Sequence, residues 1–201
     1  MCRHLRIPLG KPYALLVGVG GVGSGIFFEL EGDHTVGRNE SRLGRLLDVR
    51  DYCKLHIITH YVALMLGSGT PGSRFRVVPI GKVGDDANGH RLVEEMVDAG
   101  LDTRFVEIVP DRPTLLSVCF QYPDASGGNI TTSESAASLL SAVDIQRVEP
   151  VLRAAGDRSI VLAVPEVPLE ARCRLLELGT QHGAFRAASF TSTEMIEVLD
   201  S

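Results

Sequence analysis

The sequence contains no tryptophan, and aromatic residues make up only 5% of its 201 positions. A surface that stacks unpaired bases is built from aromatic rings, so a single-strand nucleic-acid platform is excluded. Excess positive charge is missing too. Twenty Lys and Arg stand against 25 Asp and Glu, a formal net charge of −5, and the sequence pI is near 5.7. Without a basic patch, binding to a phosphate backbone has little electrostatic drive, and no nucleic-acid partner is expected. Cysteine is sparse: Cys2, Cys53, Cys119 and Cys173 lie far apart and form no C-x-x-C pair. That argues against a zinc ribbon or a disulfide framework and for thiols in a reducing compartment. A long unbroken apolar run is absent as well. Arg3, Arg6 and Lys11 precede the uncharged stretch 13–28, an order that imitates a secretory signal, but glycines interrupt it. It is also too short to cross a bilayer comfortably, so a cytoplasmic protein with no membrane partner is expected.

What is present fits a globular protein, with 44% hydrophobic and 22% charged residues. The length suits one α/β domain or part of a larger one. "PYALLVGVG" (12–20) is a short apolar run closed by glycines, as a buried parallel strand would be. "GIFFELEGDHTVGRNESR" (25–42) mixes apolar and polar residues around Gly32 and Gly37 and reads as a hairpin or extended loop. "LHIITHYVALMLG" (55–67) is apolar nearly all round and reads as a buried helix stopped by Gly67. A strand follows at 74–81. In 84–103, Asp85 or Asp86 caps a helix with Leu92, Val93, Met96 and Val97 on one face, closed by Gly100. Residues 104–109 and 114–122 read as strands, with a third short strand near 130–132. Asp144 then caps a helix carrying Ile145, Val148, Val151 and Leu152 as far as Gly156. A buried strand at 159–168, a helix at 169–183 with Leu169, Cys173 and Leu176 aligned, and a strand at 184–190 complete the series. Strands alternating with helices imply a doubly wound parallel sheet. Segments 25–42 and 104–132 break the rhythm and suggest a small β-layer beside it.

Gly18-Val19-Gly20-Gly21-Val22-Gly23 spells G-x-G-x-x-G. A dinucleotide turn needs a helix opening at the third glycine and an acid at the end of the next strand. "SGIFFELEGD" carries no helical stripe, and Glu40 stands at the right distance but not at the end of an apolar strand. The stricter pattern G-x-G-G-x-G-S resembles the adenylating E1-type enzymes, which also continue into a helix. The preferred reading is that the glycines close a central strand where a ligand or the β-layer approaches the backbone.

"IGKVGDDANGHRLVEEMVDAGLDTRFV" (80–106) resembles the ribokinase-type (PfkB) carbohydrate kinase family. Val83, Gly84, Asp86, Gly89, Gly100, Asp102 and Thr103 match its pattern, with Leu101 in place of a valine. "RPTLLSVCFQYPDASGGNIT" is similar to the family's lid strand and turn, and "VLAVPEVPLEARCRLLELGTQHG" to its strand, acid-x-P-x-E link and helix. The resemblance covers about 74–190 and, more loosely, 12–67. It implies an ATP- and Mg²⁺-dependent kinase acting on a sugar or nucleoside hydroxyl, with a β-sheet lid over the substrate that often forms a dimer contact. Three departures stand out. The aspartate expected after the first strand falls near Gly23. The G-G-x-x-x-N start of the next helix reads "CKLHII" (53–58). The N-x-x-E and G-A-G-D segments, which in the family carry the metal–phosphate site, the anion hole and the catalytic base, match nothing before Ser201.

The expectation is therefore a single incomplete ribokinase-like domain over 1–201, with lid segments at about 24–46 and 104–132 and its catalytic base beyond Ser201. ATP and Mg²⁺ are expected for a complete protein and not for this chain alone. Its substrate contacts are expected at Gly20, Gly21, Arg38, Glu40 and Glu166, the last by family position at the end of a buried strand. Gly84, Asp86 and Gly89 are motif residues, and Asp86 reads first as a helix cap. His56 and His60 have the i, i+4 spacing of metal ligands but no third ligand nearby, so no metal is expected. Lys54 either attracts an anionic substrate or is simply exposed, and Asn129 is read as holding a turn. The alternative is a non-catalytic sugar- or metabolite-binding module that oligomerises through its lid.

Overall fold

In the computed structural model, which describes residues 13–199, the first apolar run forms β1 (Leu15–Val19), buried along its whole length. Successive side chains of a strand point to opposite faces, so a strand covered on both sides reads as unbroken apolar residues. Leu15, Val17 and Val19 enter one hydrophobic core; Leu16 enters a second on the other face. β1 is the central strand of a five-stranded sheet ordered β5 (Phe105–Val109), β4 (Arg76–Gly84), β1, β8 (Ser159–Ala163), β9 (Phe185–Ala188). All neighbours are parallel. Leu55 and Ala63 of α1 (Lys54–Leu66) and Leu92 and Met96 of α2 (Ala87–Asp98) build the core on one face. On the other lie Ile145 of α3 (Ala142–Gln146), Leu152 of α4 (Glu149–Ala155), and Ala171, Leu175 and Leu178 of α5 (Leu169–Gln181). Helices on both faces of a parallel sheet make the doubly wound α/β architecture. At Gly18 a Cβ would lie 2.7 Å from the Leu55 Cδ1 and 3.3 Å from the Thr59 methyl, so this glycine sets how closely α1 approaches the sheet.

The second sheet is four-stranded and mixed, ordered β3 (Gly44–Tyr52), β2 (Gly23–Leu30), β6 (Leu115–Gln121), β7 (Gly127–Thr131). β2 and β6 run parallel, and the outer pairs are antiparallel. Its boundaries differ from the expected lid segments. Residues 104–109 are not part of it: β5 pairs with β4 from Ile80↔Phe105 to Gly84↔Val109 in the main sheet, so the second segment of this smaller sheet begins at Leu115. The first segment extends to Tyr52, because the return arm of the hairpin is β3. Charged Arg45 and Asp48 hide that arm in the sequence, as is usual for an exposed edge strand.

Three helix readings are corrected. Asp86 does cap α2, accepting from the Gly89 N–H at 2.7 Å, but Val97 is 53% exposed and lies off the buried face. The helix expected from Asp144 is two helices. Ser141 caps α3 with Asp144 reciprocating in a capping box, and Pro150, which has no N–H to donate, stands in the first turn of α4. α5 buries Ala171, Leu175 and Leu178 rather than Leu169, Cys173 and Leu176. Arg172 on the same face is fully buried and bonds Glu194 and the Ser189 carbonyl, each at 2.5 Å, which ties α6 (Ser192–Leu199) down.

His56 and His60 bind no third partner of metal-ligand type; among the described residues no group of three His, Cys, Asp or Glu is placed to hold an ion. Instead His56 is fully buried and stacks on Tyr52 at 4.1 Å, facing His60 on its own helix and Arg91 on α2. Neither ring nitrogen meets a hydrogen-bond partner among the described residues. Burial first, then the His60 and Arg91 charges, push its pKa down to about 3. The unfolded chain, with an ordinary histidine pKa near 6.5, therefore binds more protons between pH 6.5 and 3, and stability falls as pH drops through that window. In calorimetric melts from pH 7 to 5, before carboxylates contribute, His56→Phe should lose less Tm than the parent. An equal loss would exclude His56 as the source.

Candidate functional site

From β1 the chain proceeds to β4 and β5 on one side of the sheet, while β8 leads to β9 on the other. The crevice between the carboxyl ends of β1 and β8 is thus a topological switch point, where open α/β sheets bind ligands. Gly20 and Gly21 follow β1, and Glu166 follows β8. The Gly21 N–H donates to the Pro165 carbonyl at 3.2 Å. A Cβ at Gly20 would lie 3.0 Å from the Leu55 Cβ and overlap the Val164 side chain, so this glycine serves packing. A Cβ at Gly21 would lie 2.5 Å from the Glu166 Oε2, so that glycine reserves the space the carboxylate fills.

Glu166 itself has φ +79°, a left-handed conformation with a cost of about 1–3 kcal/mol for a residue with a Cβ. What holds it is α1. Cys53 gives no side-chain cap, and the first turn has no acid, so the helix start lacks its own acceptor. Glu166 supplies one: Oε2 accepts the Lys54 N–H at 3.1 Å and Oε1 accepts the Lys54 Nζ at 2.9 Å. A carboxylate at a helix N-terminus also meets the favourable end of the dipole.

Above this pair lies the second sheet, whose alternation gives it two unlike faces. Gly25, Ser117, Cys119 and Asn129 turn toward Lys54 and Glu166 and with them line a cavity of about 230 Å³. A second cavity of about 490 Å³ shares Lys54, Asn129 and Glu166 and adds Thr131, Ser133, Thr191 and Glu194. Phe28, Val118, Phe120 and Ile130 point the other way and line a groove of about 750 Å³. Asn129 lies within β7 and donates to the Thr131 Oγ1 at 3.0 Å rather than holding a turn.

The structure brings Gly20, Gly21 and Glu166 together at the switch point, but of the three Glu166 alone lines the two cavities. Arg38 and Glu40 lie in the loop between β2 and β3 and line neither cavity. The Glu40 carboxylate is engaged within that loop by the Gly37 N–H at 2.7 Å, His34 at 2.9 Å and Arg42 at 2.6 Å. The Gly37 N–H first, then Arg42, hold its pKa down at about 2. Gly84, Asp86 and Gly89 form a joint. Asp86 accepts from the Thr114 N–H and hydroxyl, both at 2.8 Å, as well as from Gly89, tying α2 to the root of β6. Burial alone would raise the Asp86 pKa, but the Thr114 and Gly89 donors leave it lowered. Sequence reasoning missed the Lys54–Glu166 pairing, which spans 112 positions, and the lining role of Ser117, Asn129 and Thr131. The polar residues at every second position of β6 and β7 were the available signal.

A family model described as pfkB family carbohydrate kinase matches residues 62–194. No curated protein matches the chain by sequence. Among solved structures it is similar to ribokinase from Cryptococcus neoformans var. grubii in complex with ADP, with TM-score 0.69, 20% identity, and 92% of this chain and 54% of that one covered. It is also similar to Arabidopsis thaliana ribokinase complexed with ribose and ATP (TM-score 0.59, 21% identity, 88% and 53% covered). A third is a Burkholderia thailandensis nucleoside kinase in complex with inosine (TM-score 0.63, 15% identity, 86% and 51% covered). The chain spans about half the length of these structures.

If Gly21 is small in order to seat Glu166, the two positions are energetically coupled. Gly21→Ala should cost about 1–3 kcal/mol in urea unfolding. Paired with Glu166→Gly, which removes the clash with Glu166 and the left-handed strain but not the contact with Leu115, it should cost less than the sum of the singles, by at least about 0.5 kcal/mol. Additivity would mean that Gly21 is not reserved for the carboxylate.

Proposed function

Because the chain belongs to the pfkB carbohydrate kinase family, we propose that it forms the substrate-binding and lid portion of an ATP-dependent sugar or nucleoside kinase. The acceptor is a hydroxyl of a polyol bound between Glu166 and the polar face of the second sheet. The observation that carries this reading is the position of Glu166: a carboxylate held in strained backbone at the switch point, facing hydroxyl and amide groups of the lid. A carboxylate accepts from adjacent hydroxyls, and Asn129 and Thr131 offer both donors and acceptors. Gly21 keeps open the space in which that carboxylate is held.

The residues present do not fit ATP. The cavity linings carry one cation, Lys54, already paired with Glu166, and a second carboxylate, Glu194, paired with Arg172. A triphosphate needs several positive charges or an N–H-lined anion hole. No transfer step is therefore assigned to residues 13–199; the base and the phosphate site are proposed to come from polypeptide outside this chain. The sheet leaves room for it. β9 is an edge strand with Phe185 56% exposed, and Ile160 and Leu162 of β8 are only half-buried.

In this reading the chain alone binds ribose or inosine in isothermal titration and forms no ADP with Mg²⁺-ATP above the no-sugar control, whereas the complete gene product phosphorylates the ligand that binds. Binding without phosphorylation by the complete gene product would instead favour a non-catalytic binding module, which the pre-paired Glu166 also suits. Sugar-dependent ADP release by residues 1–201 alone would sink the assignment of the base to another segment.

The apolar face of the lid is proposed as a contact with a second copy. Ile130 is 71% and Leu43 75% exposed beside Phe28, Val118 and Phe120. Ile130→Glu should turn a dimer into a monomer in sedimentation analysis and leave ligand binding unchanged, because Ile130 faces away from the cleft. A parent protein that is monomeric at all concentrations refutes this contact.

A further inference from the structure

We infer that Lys54 selects substrate charge: the cleft takes a polyol that carries an acidic group, a carboxylate or a phosphate, which docks on the Lys54 ammonium while the hydroxyls donate to Glu166. The inference rests on the polyol reading of the cleft given above. Lys54 lines both cavities, and its side chain is 50% exposed where that of Glu166 is 12%. One ammonium N–H goes to the Glu166 Oε1 at 2.9 Å, and the others remain for a ligand. Among the described residues Lys54 is the one cation on either lining. Glu194, the other carboxylate, is neutralised by the buried Arg172 guanidinium at 2.5 Å.

A neutral sugar meets this arrangement poorly. Both Glu166 oxygens already accept from Lys54, one from its N–H and one from its ammonium, so sugar hydroxyls must share them with a charged donor. An acidic polyol resolves the conflict. Its anion draws the flexible ammonium away, Glu166 keeps the Lys54 N–H, and the oxygen released accepts a substrate hydroxyl. The ammonium exchanges one carboxylate partner for another anion, and the start of α1, a 13-residue helix, supplies the favourable field for the extra negative charge. A triphosphate carries more negative charge than one ammonium can balance. A carboxylate carries one negative charge and a phosphate monoester about 1.5 to 2, which the ammonium shares with the start of α1.

The test compares ribose, ribonate and ribose 5-phosphate by isothermal titration against the chain as it is and against Lys54→Met, Lys54→Gln and Lys54→Arg. The parent should bind at least one of the two acids about tenfold tighter than ribose, a difference typical of one charge-assisted contact. The comparison between the acids identifies carboxylate or phosphate as the group selected. Lys54→Met or Lys54→Gln should bring the acid-to-ribose ratio near unity, and Lys54→Arg should retain it. Because the ratio is taken within each variant, a general loss of stability does not imitate the result. Ribose binding as tightly as both acids, or an unchanged ratio in the Met and Gln variants, overturns the charge selection and leaves the polyol site standing. Failure of all three probes, and of inosine beside them, to bind overturns the polyol site itself and the selection with it.

Discussion

The left-handed backbone at Glu166 joins three parts of the chain that are distant in sequence. The end of β8 presents the carboxylate, the missing Cβ at Gly21 leaves it space, and the start of α1 receives it through the Lys54 N–H and ammonium. The energies nearly cancel. Strain at such a residue is about 1–3 kcal/mol. A half-exposed ion pair returns about 0–1 kcal/mol, and a carboxylate on a helix N-terminus about 1 kcal/mol more. A contact that contributes so little net stability is not needed to hold the fold. It fixes the position of a carboxylate at the switch-point crevice, and α1 cannot keep its capping contact if Glu166 moves.

The same period-of-two rule that buries β1 on both faces gives the lid two different ones. In the main sheet both faces meet helices, so both are apolar. In β6 the odd-numbered Ser117 and Cys119 look into the cleft, and the even-numbered Val118 and Phe120 look away. The lid is attached at defined points rather than along a broad core. Asp86 and Thr114 fix the root of β6, and Ser24 at the root of β2 bonds the Asn88 amide at 2.9 Å. Both anchors are on the first turn of α2. Short polar attachments beside a cleft lined by polar side chains hold the second sheet at a few points at its roots.

Much of the main sheet was legible because burial on both faces leaves unmistakable runs such as "LLVGV" and "VVPI". The edges were not. β3 is an exposed strand with charges at Arg45 and Asp48, and β5, short and half-exposed, reads equally well as a lid strand or a sheet edge. α5 misled because a fully buried Arg172 stands on its inner face, so the hydrophobic stripe appeared two residues out of place. The α3–α4 break was written in Pro150, but Val148 and Leu152 continued the stripe across it. In the site, Glu166 was visible from the strand preceding it. Glu40 was chosen for its dense polar neighbourhood, and those same neighbours, Gly37, His34 and Arg42, are what occupy it.

Lys54 could not be assigned from the sequence for a related reason. A lone lysine at a helix start is unremarkable, and the feature that gives it meaning lies 112 residues away at the end of another strand. Once paired, it changes what the cleft can accept. A carboxylate alone favours hydroxyls and repels anions; a carboxylate with an ammonium beside it offers an acceptor and a donor of opposite charge within one ligand length. The cost of leaving either partner unsatisfied inside the cleft then does the selecting. A ligand lacking an anion leaves Lys54 on Glu166, and a ligand lacking hydroxyls leaves the freed carboxylate without a donor. The cleft therefore discriminates through what each wrong ligand fails to satisfy, which requires that Glu166 be held rigidly enough not to follow it. The strained backbone, the space at Gly21 and the start of α1 together provide that rigidity.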